Sequence, residues 1–235
     1  MTATVQMRGI TTVDLAKRTK RRRGYIPQDE ITYDTATVIA IDPGGTTGWS
    51  LMQVDPEALC DRSRKVLPGI FDHQHGQVDC GVRRGNLDTT LHAGISTDGE
   101  FAGVYDIAKL CREWPCAAVV IEDFQLRQMR RDRELLSSVR IGTAIGYTLW
   151  IQGRDYFVQQ PADAKNVCSD ALLKEAKMYD PYGNLVHARD ADRHALLFLR
   201  KLKTNADLRE RAFPFLFGPD GPYYQHGTPR TTQHN

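Results

Sequence analysis

Apolar and polar positions along the chain follow two periods, and the elements can be read from where each period begins and ends. Val38, Ile39, Ala40 and Ile41 form a continuous apolar run rich in β-branched residues, which predicts a buried strand over 37–42. Pro43, Gly44 and Gly45 are a tight-turn signal, and Gly48 to Met52 predict a second strand, 47–54, returning beside the first. Residues 55–70 read as a Pro-, Gly- and charge-rich insertion, 71–76 as a surface loop, and Gln77 to Val82 as a third strand. Thr97 and Asp98 offer an N-cap, and Phe101, Val104, Tyr105, Ala108 and Leu110 recur at helical spacing up to Trp114 and Pro115. Ala117 to Ile121 is a second continuous apolar run, a strand that ends in Glu122 and Asp123. A long helix is expected from Asp132 to Gln152, where Gly153 stops it, and a fifth strand over Asp155–Gln160. Pro161 opens a helical region broken near Cys168 and Ser169. The last clear helix runs from His187 to Leu202, with a short one near Asp207–Arg211. Three consecutive strands form a meander and two more enter through helical crossovers. The expected class is therefore α/β, a central mixed five-stranded sheet flanked by helices.

Composition narrows the setting. At 235 residues the chain is one domain with tails: a flexible basic arm over 1–34, a folded domain over 35–217, and a disordered tail over 218–235 rich in Gly, Pro, Thr and His. The 41% hydrophobic and 26% charged content is that of a soluble globular protein, and no apolar run is long enough to span a membrane. The net charge of +2 identifies no partner. The local charge is more telling: six of the seven residues from Lys17 to Arg23 are basic, either a solvated tail or an arm for phosphates. Five cysteines, Cys60, Cys80, Cys111, Cys116 and Cys168, fit no disulfide framework, which favours reduced thiols and a cytoplasmic location. His73, His75, Cys60 and Cys80 match no standard zinc spacing.

Three elements end in acids. Asp42 closes the first strand, Glu122 closes the fourth, and His187, Asp190, Asp192 and His194 open the last helix in the run HARDADRHALLFL. At ~100° per residue, His187, Asp190 and His194 fall within ~60° of one another, and Asp192 points to the other side of Asp190. Converging carboxylates repel one another, and divalent cations remove that repulsion. Mg2+ prefers carboxylate oxygens and leaves room for substrate phosphates. Two such ions clamp the attacking water and the leaving oxygen of a phosphodiester, and His187 is placed to accept a proton from that water. For each residue taken singly a structural reading stands beside this one: a turn aspartate, a strand-end acid, a helix-start histidine. Gly142 and Gly146 share one face of the long helix, which suits close packing on the protein's own sheet or a dimer seam.

With these residues in view, the chain resembles the RuvC family of Holliday-junction resolvases in the ribonuclease H-like superfamily. IDPGGTTGWS resembles the family's first-strand motif, VVIEDF its fourth-strand motif, and HARDA the His-x-x-Asp-Ala form of its last helix, over residues 37 to 203. The resemblance implies a ribonuclease H-like fold, with Asp42, Glu122 and Asp190 as metal ligands and His187 as catalytic partner. Asp123 and His194 stand as supporting residues beside them. It also implies two Mg2+ ions per site, with Mn2+ as a substitute, and a homodimer cutting two opposed strands, for which the 132–152 helix is the expected seam. Branched DNA is the implied substrate: four-way junctions, with flaps and forks as alternatives. The C-terminal half looks most like resolvases carried by bacteriophages of actinobacteria, which would act in a bacterial host's cytoplasm. Several family members carry an aspartate where this chain has His187, and the family's junction-probing aromatic has Phe124 as its nearest candidate.

The loop after Glu122 fits nucleic acid on its own chemistry. Arg127, Arg130, Arg131 and Arg133 can neutralise phosphates, Phe124 can stack on an unpaired base, and Lys20, Arg21, Arg22 and Arg23 extend the basic surface. Two other readings compete. The first is an actin-like or sugar-kinase-type nucleotide-binding protein with Asp42–Gly48 as its phosphate loop, but that group needs a second domain and a second loop. The second is a binder of branched DNA that does not cut, which would not need carboxylates beside phosphates.

Overall fold

The structure, a computed structural model, describes residues 10–13, 35–61, 63, 65–81, 98–123, 133–179 and 184–224. Along the chain come β1 (Ile10–Val13), β2 (Ala36–Asp42), β3 (Thr46–Val54), α1 (Pro56–Cys60), α2 (Val66–Gly69), β4 (Ile70–Asp79), α3 (Asp98–Glu113), β5 (Ala118–Glu122) and α4 (Arg133–Ile151). Then follow β6 (Tyr156–Gln159), α5 (Pro161–Val167), α6 (Asp170–Glu175), α7 (Val186–Thr204), α8 (Ala206–Ala212) and α9 (Pro214–Phe217). The sheet order is β1-β4-β3-β2-β5-β6. β3 pairs antiparallel with both β2 and β4, while β5 pairs parallel with β2 and β6 parallel with β5. This is the mixed five-stranded α/β sheet that the pattern predicts, lengthened at the β4 edge by the short β1.

The central strands read as unbroken apolar runs because both of their faces are covered. Val38 and Ala40 of β2 with Val120 of β5 meet Ala195, Leu196 and Leu199 of α7 on one face. Ile39, Ile41, Val119 and Ile121 meet Ile107 of α3 and Ile141, Ile145 and Leu149 of α4 on the other. α7 is buried along most of its length, with Ala191, Ala195, Leu199 and Leu202 fully inside. Phe198 is among the largest fully buried side chains, so truncating it to alanine should cost about 3–5 kcal/mol.

Three expectations are revised, and one open choice is decided. The third strand begins at Ile70, so His73 and His75 lie in β4 and not in a surface loop. The insertion before it is folded into the two short helices α1 and α2. The Gly142/Gly146 face packs on the chain itself: a Cβ at Gly142 would meet Pro43 Cγ at 3.5 Å, and one at Gly146 would meet the Tyr156 ring at 2.9 Å. At the C-terminal end, residues 218–224 are described and continue the fold, with the Tyr223 amide donating to the Leu216 carbonyl and its ring against Phe217. Cys60, Cys80, Cys111, Cys116 and Cys168 are all free thiols, and burial pushes Cys111 up to about 11, which makes it an inert core residue. No helix among the described residues is long and apolar enough to cross a membrane.

Candidate active site

The site forms where the C-terminal ends of β2 and β5 meet the first turns of α7. Asp42 is the last residue of β2, and its partner across the ladder is Gly48 of β3. A Cβ on Gly48 would fall 2.0 Å from the His187 carbonyl oxygen, so only glycine lets the start of α7 lie directly on β3. That approach brings His187 Nδ1 to 3.0 Å from Asp42 Oδ2. β4 fixes the helix start in a second way. The Gln77 carboxamide accepts from the His187 amide at 2.9 Å and donates to the Asn184 carbonyl at 3.1 Å. Leu185, at the N-cap position, supplies no side-chain cap, so Gln77 takes that role from outside the helix.

Glu122, at the end of β5, is held by His194, whose Nε2 lies 2.7 Å from Glu122 Oε2. Gln159 of β6 contacts the other ring nitrogen at 3.1 Å and fixes the ring's orientation. Asp190 pairs with Arg193, one turn on, and with Lys165 Nζ at 3.5 Å. Arg193 also bonds Asp170 and the Cys168 carbonyl. Each of the three predicted ligands therefore holds a basic side chain of its own, and Glu122 and Asp190 lie near enough to Asp42 to raise its carboxyl. Asp123 turns away to Gln160 Nε2 at 2.9 Å. Beside Asp190 lies a cleft of about 360 Å3 that includes Lys165, Arg189 and Arg193 in its wall.

Electrostatics single out Asp42. Burial, with Glu122 and Asp190 nearby, pushes its carboxyl up to about 6, although the His187 hydrogen bond pulls the other way. His187 is raised in turn by its bond to Asp42, against the opposing effect of burial. The bond occupies Oδ2 of Asp42 and leaves Oδ1 for another ligand. The His194–Glu122 bond likewise uses Oε2.

Asp192 leaves this group, as the helical wheel predicts. It is fully buried against β4, with Oδ1 2.7 Å from His73 Nε2 and Oδ2 2.7 Å from His75 Nδ1. Burial alone would raise its carboxyl, but the two histidines outweigh that and hold it down at about 2. Sequence reasoning missed this triad because its strand was read as a loop. It also missed Lys165, Gln77, Gln159 and Arg193. Only Arg193 carried a signal, three residues past Asp190 and on its face of the helix. Phe124, Arg127, Arg130, Arg131 and the run Lys20, Arg21, Arg22, Arg23 lie outside the described residues, and Arg133 opens α4.

No known protein family and no curated protein matches the chain in sequence. Among solved structures, it is similar to RuvC of T. thermophilus in complex with a Holliday junction substrate. The identity is 14% over 72% of this chain and 96% of that one, with a TM-score of 0.47. A second Thermus thermophilus RuvC structure matches at 14% identity over 69% of this chain and 92% of that one, with a TM-score of 0.44.

Proposed function

We propose that the chain is a divalent-metal-dependent endonuclease of the RuvC type that hydrolyses phosphodiesters in branched DNA, four-way junctions foremost. The observation that carries this reading is the Asp42–His187 pair, with Glu122 and Asp190 close enough to raise Asp42. A buried carboxylate that its neighbours push toward protonation is stabilised by a cation, and the donors on offer are oxygens, as Mg2+ or Mn2+ requires. Asp42, Glu122 and Asp190 would hold the two ions through their carboxylate oxygens. When bound, the ions polarise the scissile phosphate and stabilise the leaving oxygen.

The chain's own residues supply the rest. Asp42 Oδ2 accepts from His187 Nδ1–H and fixes the tautomer, so that Nε2, on a ring partly open to solvent, receives the proton of the attacking water. His194 keeps Glu122 from swinging away. Lys165, Arg189 and Arg193 line the cleft beside Asp190 and offer positive charge to the DNA backbone. Phe124, Arg127, Arg130, Arg131 and Arg133 follow Glu122 directly and would meet the branch point, with Lys20 to Arg23 on the flanking duplex. A symmetric junction needs two such sites, so the working form is a homodimer. Leu136, Val139, Tyr147, Trp150 and Ile151 form an exposed stripe along α4, on the opposite side from the buried Ile141, Ile145 and Leu149, and supply its seam. Roles in recombination and repair, bacteriophage origin and action in a bacterial cytoplasm belong to the same reading.

The turn after Asp42 argues against a nucleotide loop. The Gly44 amide donates to the Thr47 hydroxyl at 3.2 Å, and that hydroxyl donates to the Gly44 carbonyl at 2.9 Å. The amide that would cradle a phosphate is thus already engaged.

The test incubates the protein and Mg2+ with a synthetic four-way junction, a flap and a linear duplex. Paired, symmetric nicks confined to the junction are expected, and Asp42→Asn should abolish them while sparing junction binding. Nucleotide hydrolysis without cleavage of any DNA would overturn the reading.

A further inference from the structure

We propose that His73, His75 and Asp192, with Ser50 beside them, form a second metal site, for one structural transition-metal ion of the Zn2+ class. His73 and His75 are two apart on β4 and so point to the same face, the one α7 covers. Asp192 descends onto them from α7. In the β3–β4 register Ser50 lies directly across from His75, and Met52 across from His73, on that same face.

The donor atoms are already gathered. One ligand atom from each of His73, His75 and Asp192 lies within 4.8 Å of the others, and no second set of three or more His, Cys, Asp or Glu residues does so among the described residues. Around a tetrahedral ion with bonds of ~2.0–2.1 Å, ligand atoms stand roughly 3.3 Å apart. The two N···O separations of 2.7 Å need only widen by side-chain rotation. The imidazole rings meet edge to face, with centroids 4.9 Å apart, so two nitrogens approach one carboxylate without the rings stacking.

The donor chemistry differs from that of the Asp42 cluster. Two imidazole nitrogens and one carboxylate oxygen suit Zn2+, Co2+ or Ni2+, whereas Mg2+ prefers oxygen. Charge points the same way: among the described residues Asp192 pairs with no lysine or arginine, and a divalent ion would balance its fully buried carboxylate. A further observation concerns hydrogen bonds: Ser50 Oγ is completely buried and, like His73 Nδ1, has no partner among the described residues. A metal-bound water in the fourth position would give the Ser50 hydroxyl a partner. Three protein ligands and a water is also the count that catalytic zinc sites use, but His75 and Asp192 are buried and His73 nearly so, which fits an ion that holds structure. Such an ion would pin α7 to β4 two residues from Asp190.

The experiment strips the full-length protein with chelator, restores Zn2+ or Co2+ in the presence of excess Mg2+, and desalts. One ion retained per chain, a raised melting temperature and the visible absorption of low-symmetry Co2+ are expected in the wild type. All three should persist in Asp42→Asn, which removes a ligand of the other cluster. His73→Gln and Ser50→Ala serve as paired variants. The first should weaken Zn2+ binding by at least tenfold, and the second, which leaves all three protein ligands in place, should shift the Co2+ spectrum. Wild-type protein that retains no Zn2+, or Zn2+ lost equally from Asp42→Asn, would overturn the proposal and leave a hydrogen-bonded triad. Junction cleavage in Mg2+ is scored separately, so failure of the nuclease reading and failure of this one give different results.

Discussion

Asp42 is subject to opposed demands: it sits where water is largely excluded, and the proposed metal role would require it to be ionised. Its carboxyl, normally near 3.8, is pushed up to about 6. Between those two values the metal-free folded protein holds a proton that the unfolded chain has lost. Asp42's contribution to stability therefore falls as pH rises through that window. His187 is raised from 6.5, so its contribution is fully present below that value and is lost as pH climbs through its folded-state value. Protons and cations compete for Asp42. Mn2+ affinity, measured by calorimetric titration at several pH values, is expected to be nearly flat well above pH 6 and to fall by about tenfold per unit below it. His194 makes a different prediction. His194→Ala frees Glu122 without touching substrate, and by analogy with residues that orient metal ligands it should cut cleavage by about 10–100-fold. The loss should be partly recovered by raising Mg2+, whereas a general folding defect would not respond to the metal.

At the scale of elements, the pairing of β3 with α7 determines whether a site exists. Gly48→Ala places a methyl group against the His187 carbonyl and the Ala188 amide, both backbone. Overpacking of this kind costs about 1–3 kcal/mol, and here it would also push His187 off Asp42. Gly48→Ala should therefore lower both the melting temperature and the cleavage rate, and a variant with full activity would show that α7 can shift without harm. The same elements show what the sequence could and could not reveal. β2 and β5 were legible because both faces of each are apolar, and α7 because HARDADRHALLFL sorts cleanly at helical period. Most of β4 was not, because the face it buries is itself polar: His73, His75 and Gln77 point at α7 where a strand pattern leads one to expect valine or isoleucine. Gly142 and Gly146 were read correctly as a close-packing face. What they meet, Pro43 and Tyr156, is 99 residues away in one case and set by the sheet in the other, so spacing along the helix could not distinguish it from a second subunit.

For the whole molecule, the outer surface of α4 is the feature the fold leaves unexplained. Trp150 is 70% exposed and Tyr147 61%, and the two rings stack with centroids 6.0 Å apart. Side chains of that size left in water on a regular stripe suit an isologous contact between two copies. If α4 is the seam of the proposed dimer, changing both to glutamate should lower the sedimentation coefficient to that of a monomer and turn paired cuts into single nicks. An unchanged sedimentation coefficient would place the seam elsewhere. Glu100 ties α4 to α3 by accepting from Ser137 at 2.9 Å and from Arg140 Nε at 2.8 Å, so the two helices would enter such a contact as one rigid surface.

The Gln77 side chain has a practical consequence. It shields the backbone amide of His187, at a helix start that is otherwise uncapped. That N–H is a built-in reporter: its hydrogen–deuterium exchange rate registers whether α7 is seated, independently of DNA, metal or turnover. Slow exchange in the resting protein and fast exchange after Gln77→Ala would allow the preparedness of the site to be read spectroscopically before any strand is cut.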